Sequence, residues 1–381
     1  MNWVAWRMLV GDQTKYLGLV FGIAFATLLM TQQISIFVGI MKRTASQVLD
    51  VRDAPIWVMD QKTRFIDEAP GLPDTDLLRV RGISEVDWAV KLYKGQVTAR
   101  LGTGDYRAVV LFGLDDNSFV GAPCEMLLGS LSDLNQPDAV IIDKAGYEYM
   151  WPGKPLELGQ EFELNDRRAR LVGICKASAP FTTLPVLYSR FSTVRGFVPR
   201  QRNLMNFILA QPRKDVPVES ACAAIEKGTG LAAYSRNQFF WKTIQYFLAT
   251  TGIPVNFGIT ITLGFIVGAA ITGQTFYLFT IENLRQFGTL KAMGVTNGRI
   301  LLMVGLQALV VGFIGFGIGI GLTAGFFEFT KNITHLAGLY LQPLAAVGVA
   351  VAVLVIILLS ALVASIKVLL LEPAVVFRGG G

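Results

Sequence analysis

The sequence predicts an α-helical membrane protein with four transmembrane helices, arranged one plus three, and a large α+β extracytoplasmic domain between the first and the second. Three observations lead there. Hydrophobic residues make up 52% of the 381-residue chain and charged residues only 16%, against about 25% charged in soluble domains. The apolar content is concentrated at residues 17–41 and in three long runs after Asn256. Between them, residues 42–250 have the turn punctuation and alternation of a globular domain. Each run is long enough to cross a hydrocarbon core of about 30 Å.

Residues 1–16 place Trp3 and Trp6 among Arg7, Asp12 and Lys15, the pattern of an interfacial helix with its indoles at head-group depth. Residues 17–41 follow as the first span. Ala24-Phe25-Ala26 resembles a signal-peptide cleavage site, but apolar character continues to Ile40, so the span is expected to stay uncleaved. Thr31, Gln32, Gln33 and Ser35 interrupt its distal half. Hydrogen bonding between packed helices, at about 0.6–2 kcal/mol per contact, accounts for them; a polar substrate path is the alternative.

The globular domain is expected at 42–236. Strands are expected at 56–59, 86–93, 96–101, 106–114, 139–142, 161–164, 169–175, 186–189 and 206–210, where β-branched and aromatic residues stand between turn signals. Helices are expected at 74–80, capped by Asp74 or Thr75, and at 144–150 and 218–227. Strand–helix–strand segments at about 51–115 and 200–236 are expected to pair around a β-rich insertion at 116–199. Residues 237–256 read as a helical stalk, interrupted at Gly252-Ile253-Pro254. Such an interruption is a candidate hinge.

The second span is expected at 257–281 and the third at 300–327. Gly317, Gly321 and Gly325 repeat at four in the third span, and glycines on one face let another helix approach closely. An outer loop at 328–343 leads to the fourth span, 344–366, and a tail at 367–381. Arg7, Lys15, Arg285, Lys291, Arg299, Lys367 and Arg378 then fall on one side, with only Lys331 in the short loop opposite. The positive-inside rule puts both termini and the 282–299 segment in the cytoplasm, with the large domain translocated.

That segment stands out. Leu284, Phe287, Leu290 and Met293 recur at helical spacing on one side, while Arg285, Thr289 and Lys291 face elsewhere. Gly294 stands where a C-capping glycine would end the helix. A helix with so little polar surface is expected to present its apolar face to something at the membrane surface.

No catalytic constellation emerges. The single histidine, His335, lies in the outer loop, and Asp115-Asp116 and Asp166 read as turn residues. No phosphate-binding glycine loop or calcium loop is present. Cys124, Cys175 and Cys222 lack both C-x-x-C spacing and a histidine partner, which argues against metal; free thiols are favoured over one disulfide and a leftover cysteine. The spans carry almost no ionisable residue at mid-depth, which argues against an ion-coupled transporter; Glu328, near an outer end, is expected to be solvated. The net charge of +6 comes with no basic stripe interleaved with aromatics. It reads as an orientation signal and contact with anionic membrane lipids, not nucleic acid.

Two stretches resemble the MacB/FtsX-type ABC transporter permeases. Glu282…Arg285…Gly288-Thr289-Leu290-Lys291-Ala292-Met293-Gly294 is similar to the family's E-x-x-R-E-(I/F)-G-x-L-(K/R)-A-(I/L/M)-G pattern after span two, with Gln286 where glutamate is usual. Glu372-Pro373-Ala374-Val375-Val376-Phe377-Arg378 is similar to the family's (D/E)-P-A-x-A-(L/F)-R ending. The start WRMLVGDQTKYLGLVFGIAFATLLM and the segment VVLFGLDD resemble DevC-like members, which lack a fused ATPase.

The resemblance implies a non-catalytic permease, dimeric and in the simplest case a homodimer, bound to two copies of a separate ABC ATPase. That ATPase would hold the ATP and magnesium, so no cofactor is expected here. It assigns ATPase coupling to Glu282, Leu284, Arg285, Phe287, Gly288, Leu290, Lys291, Met293 and Gly294. ATP-driven motion is then expected to pass through spans and stalk to the outer domain, a mechanotransmission scheme. The resemblance also implies a bacterial inner membrane location, a periplasmic adaptor (membrane fusion protein), an outer-membrane duct, and export of a lipid or other amphiphile. A lipoprotein-extraction permease and an FtsX-like regulator of a cell-wall hydrolase share the topology and are the alternatives.

Overall fold

The computed structural model describes residues 2–198, 204–331, 333 and 338–369. Helices α1 (Asn2–Gly11) and α2 (Gln13–Asp50) precede β1 (Ile56–Met59), α3 (Asp74–Arg81), β2 (Val86–Arg100), β3 (Tyr106–Leu114) and β4 (Glu125–Leu128). Next come β5 (Ala139–Asp143), α4 (Lys144–Met150), β6 (Glu161–Leu164), β7 (Arg167–Lys176), β8 (Val186–Arg190) and α5 (Phe191–Phe197). They are followed by β9 (Phe207–Pro212), α6 (Val218–Thr229) and β10 (Ala232–Ser235). Helices α7 (Arg236–Thr250), α8 (Ile253–Glu282), α9 (Leu284–Ala292), α10 (Asn297–Thr330) and α11 (Pro343–Leu369) complete the described chain. Residues 1–39 with 252–381 form one compact unit and residues 40–251 another.

Among the described residues four helices are long and apolar enough to cross a membrane: α2, α8, α10 and α11. Helix α2 continues to Asp50, past the expected end at residue 41, because no glycine or proline stands between Met41 and Asp50. The break expected at Gly252 is present: α7 stops at Thr250 and α8 starts at Ile253. Pro254 sits in the first turn of α8, where its missing N–H removes no helix bond.

In lipid, apolar side chains gain little by meeting each other, so helix association depends on close backbone approach. Gly268 of α8 lies against Ala26 of α2, and a Cβ on Gly22 would come within 2.8 Å of the Ile271 side chain. A Cβ on Gly315 of α10 would lie 2.8 Å from Ile23 Cβ and 3.0 Å from the Val20 carbonyl oxygen. One on Gly319 would lie 2.5 Å from Thr27 Cβ and 2.7 Å from the Ala24 carbonyl oxygen. Gly312 faces Ile357 of α11.

The glycines that pack within the chain are therefore Gly312, Gly315 and Gly319, whereas Gly317, Gly321 and Gly325 face away from its other helices. A Cβ at any of the latter three would meet nothing within 4 Å. The physical reason is helical phase: two residues along a helix is about 200° around it. Two interleaved glycine series therefore face opposite ways. Thr31 and Ser35 are fully buried within this unit, and Ser35 Oγ accepts from the Gln342 N–H at 3.2 Å. At Ser35 that is the hydrogen bonding expected between packed helices, while Gln32 and Gln33 are half-buried.

The unit at 40–251 is built on one ten-stranded mixed sheet, in the order β10-β1-β9-β2-β3-β8-β5-β7-β4, with β6 alongside β2 and β7. Strand β2, expected as two strands, is continuous. Its first half pairs with β9 and its second with β3, both antiparallel. Gly95 keeps it unbroken, because the Tyr93 ring lies where a Cβ would project. Pairing of β1 with β9 and β10, and of β2 with β9, brings the segments at 51–115 and 200–236 together. Residues 116–199 do not form a layer apart, since β8 pairs in parallel with β3. Neither Asp74 nor Thr75 caps α3; Pro73 occupies that position without a side-chain bond. Asn165 and Asp166, with φ of 45° and 64°, form the two-residue turn between β6 and β7, the left-handed geometry that Asn and Asp tolerate. Cys124, Cys175 and Cys222 are all free thiols.

Buried polar side chains tie the loops to the sheet. Asp143, at the end of β5, accepts from the N–H groups of Gly146 (3.0 Å) and Val186 (2.7 Å) and so caps α4. Burial pushes its carboxyl up to about 6 in spite of those donors. Lys94 of β2 is only 7% exposed and is ion-paired with Asp67, which holds the 60–72 loop down. Desolvation pulls the Lys94 ammonium below its usual range, and Asp67 opposes that shift. Asp67 is partly exposed, so Asp67→Ala is expected to cost a discounted about 1–3 kcal/mol, chiefly by stranding a buried cation. The double variant K94M/D67A should recover most of it. Thermal melts of the detergent-solubilised chain check this, and a D67A melt equal to wild type would contradict it.

The flanking helices are anchored to the same loops. Ser178 donates from N–H (2.9 Å) and Oγ (2.8 Å) to the two carboxylate oxygens of Asp50, and Ser46 Oγ donates to the Ala179 carbonyl at 3.3 Å. Three residues on, Phe181 packs on Phe247 of α7 at 5.4 Å between ring centroids. Phe65 stacks on Tyr246 at 4.4 Å. Helix α7 itself starts with a reciprocal cap between Ser235 and Gln238.

Candidate coupling site

Helix α8 ends at Glu282 and α9 begins at Leu284, so Asn283 alone forms the corner. Its Nδ2 donates to the Phe279 carbonyl at 2.8 Å, closing one of the bonds that α8 leaves open. Helix α9 stops as its sequence predicts. Gly294 adopts φ 89°, the Val295 N–H reaches the Leu290 carbonyl (3.1 Å) and the Gly294 N–H reaches that of Lys291 (2.9 Å). These two bonds are the paired closure of a glycine-terminated helix.

The faces of α9 divide the motif. Phe287 is fully buried and Gly288 is buried. Leu284, Leu290 and Val295 pack partly buried against a core that includes Phe276, Phe279, Ile300 and Met303. Outward face Arg285, Gln286, Thr289, Ala292 and Met293, with Met293 68% exposed. The Lys291 ammonium donates to the Leu369 carbonyl at 3.0 Å. Glu282 is ion-paired with Lys15, which also bonds Asp12 at 2.7 Å. That bond holds the Asp12 carboxyl below the usual carboxylate range.

Within the chain the apolar stripe is divided between packing and exposure. Phe287 is taken up inside the chain, Leu284 and Leu290 are half-buried against the same cluster, and Met293 is exposed. Burying a phenylalanine is worth about 1.5–3 kcal/mol, and the neighbouring helix ends take it first. The outward surface is a mixed stripe with a cation at Arg285 and a thioether at Met293. Spacing places Arg285 and Thr289 together on the side away from Phe287; that Met293 joins them follows from the packing of α9.

Nearby, α1 leaves Trp3 and Trp6 exposed, with the Arg7 guanidinium 5.0 Å from the Trp3 ring, while Leu9 is buried. Among the described residues no three His, Cys, Asp or Glu side chains gather as a metal site. His335 and the stretch Glu372–Arg378 lie outside the described residues.

Residues 16–227 match the MacB-like periplasmic core domain, and residues 258–373 match the FtsX-like permease C-terminal region. The chain is 26% identical over 321 residues to the uncharacterized ABC transporter permease Rv0072 of Mycobacterium tuberculosis strain H37Rv, covering 83% of this chain and 81% of that one. MT0078 of strain CDC 1551 matches to the same extent. Among solved structures, the extracellular domain of the noncanonic ABC-type transporter YknZ from Gram-positive bacteria is 16% identical with a TM-score of 0.36, over 48% of this chain and 98% of that one. The periplasmic region of MacB from Actinobacillus actinomycetemcomitans is 16% identical with a TM-score of 0.39, over 54% and 97%. With its four apolar helices and the periplasmic core domain between the first two, the chain belongs to the MacB/FtsX-type ABC transporter permeases, as a multi-pass inner-membrane protein with a large periplasmic domain.

Proposed function

We propose that this permease couples ATP hydrolysis by a separate ATPase to work done by its periplasmic domain, and that α9 is the coupling helix. The carrying observation is the division of α9. One side is fixed to the membrane unit, while Arg285, Thr289 and Met293 stay exposed. A rigidly seated helix with a free polar face transmits displacement instead of absorbing it. On this reading the permease is non-catalytic, works as a dimer with two ATPase copies, and needs no cofactor of its own. Motion leaves through α2 and α7 for the periplasmic sheet, whose loops hold both helices. The cargo is a lipid or other amphiphile handled on the periplasmic side, passed on with an adaptor protein and an outer-membrane duct.

Met293→Asp and Arg285→Glu test the docking face. Both side chains are exposed, so chain yield and melting temperature should stay at wild-type values. The ATPase recovered with the tagged chain from its native membranes should fall about ten-fold or more, as for loss of a central interface contact. Undiminished recovery and ATP hydrolysis in both variants would remove α9 from the coupling role. Leu290→Asp would not discriminate, because Leu290 packs within the chain.

A further inference from the structure

We propose that the motif glutamate Glu282 is a positioning residue that hands displacement of α9 to α2 through Lys15, and is not itself a contact to the ATPase. This rests on the coupling reading above. Glu282 is the last residue of α8, and a single residue separates it from α9. A corner that short cannot take up slack, so a shift of α9 arrives at Glu282. Lys15 stands in the first turn of α2, and its ammonium, with three donors, is shared between Glu282 and Asp12. Helix α2 then runs unbroken to Asp50, whose carboxylate is held by Ser178 in the periplasmic domain.

The exposures fit positioning better than stabilisation. The Lys15 side chain is 22% exposed and that of Glu282 55%, and so open an ion pair adds little to folding stability. What it does is fix the register between the α8–α9 corner and the start of α2. On the far side, Lys291 bonds the Leu369 carbonyl at the end of α11. Helix α9 is thus fastened to two spans at its two ends, with Phe287 buried between. Loss of Glu282 leaves Lys15 paired with Asp12, so a single substitution at 282 is expected to fold.

The test is a charge exchange in the complex purified from native membranes through a tag on this chain: E282K, K15E and K15E/E282K. Recovery of the ATPase subunit should be unchanged in all three. Hydrolysis per ATPase should fall about five-fold or more in each single variant, the lower end of ordinary coupling strengths, and return close to wild type in the double. D12N, which leaves the Lys15–Glu282 pair in place, should behave as wild type. If E282K fails to accumulate, E282Q removes the charge without added bulk and carries the same expectation. Loss of the ATPase from E282K that K15E does not restore would make Glu282 a direct contact and overturn the proposal. A double variant as impaired as the singles, or singles with undiminished hydrolysis, would overturn it as well. Met293→Asp separates the two readings. If it sheds the ATPase while the exchange gives no rescue, only the ion-pair role fails; if it too changes nothing, the coupling reading fails with it.

Discussion

Gly319→Leu is expected to abolish accumulation of a correctly folded chain, or to lower its stability by about 3 kcal/mol or more. A Cβ at Gly319 already lies 2.5 Å from Thr27 Cβ and 2.7 Å from the Ala24 carbonyl oxygen. The second of these is backbone and cannot turn aside. A leucine there must push α10 away from α2 and open the neighbouring contact of Gly315 with Ile23. Gly317→Leu, two residues away on a face where nothing lies within 4 Å, should change stability by no more than about 0.5 kcal/mol, the usual limit for open surface sites. Thermal melts of the two purified variants decide it. Equal damage at both positions would mean that Gly317 also meets a partner, such as a second copy of the chain.

Phe287→Ala should be the most damaging substitution in α9. The side chain is fully buried in the cluster with Phe276, Phe279, Ile300 and Met303. Truncating a buried phenylalanine costs about 3–5 kcal/mol. Met293→Ala, on the exposed side, should leave stability within about 0.5 kcal/mol of wild type. The damage therefore has different signatures. Phe287→Ala should lower the melting temperature of the isolated permease, whereas Met293 variants should be silent until the ATPase is present. A stable Phe287→Ala protein would show that α9 is not seated on the helix bundle.

Much of this architecture was legible in the sequence because its signals are local. The apolar runs, the break at Gly252 and Pro254, and the capping glycine Gly294 each depend on a few neighbouring residues. Strand β4, with the sequence EMLL, and β10, with AAYS, were not foreseen, since neither is rich in β-branched residues. Helix α5, FSTVRGF, is short and contains Gly196, which hid it. Two strands are expected either side of Lys94-Gly95, but the glycine serves the Tyr93 ring and lets one strand, β2, bridge two antiparallel partners. The order of the sheet depends on pairings more than a hundred residues apart, such as Ile56 with Ala210, and no local pattern encodes those. The glycine stripe and the apolar stripe of α9 share one limit. Periodicity says that a helix has a face, but not which neighbour that face meets.

On the proposed coupling role, α9 presents Arg285, Thr289 and Met293 to an ATPase while Phe287 is held by the chain itself. Photo-crosslinking in intact membranes tests it most directly, with a benzoylphenylalanine at position 285, 289 or 293 and, as a control, at Trp241, which is 57% exposed on α7. Adducts between this chain and the ATPase are expected from the α9 positions and none from position 241. No ATPase adduct from any α9 position, or one from position 241, would contradict it.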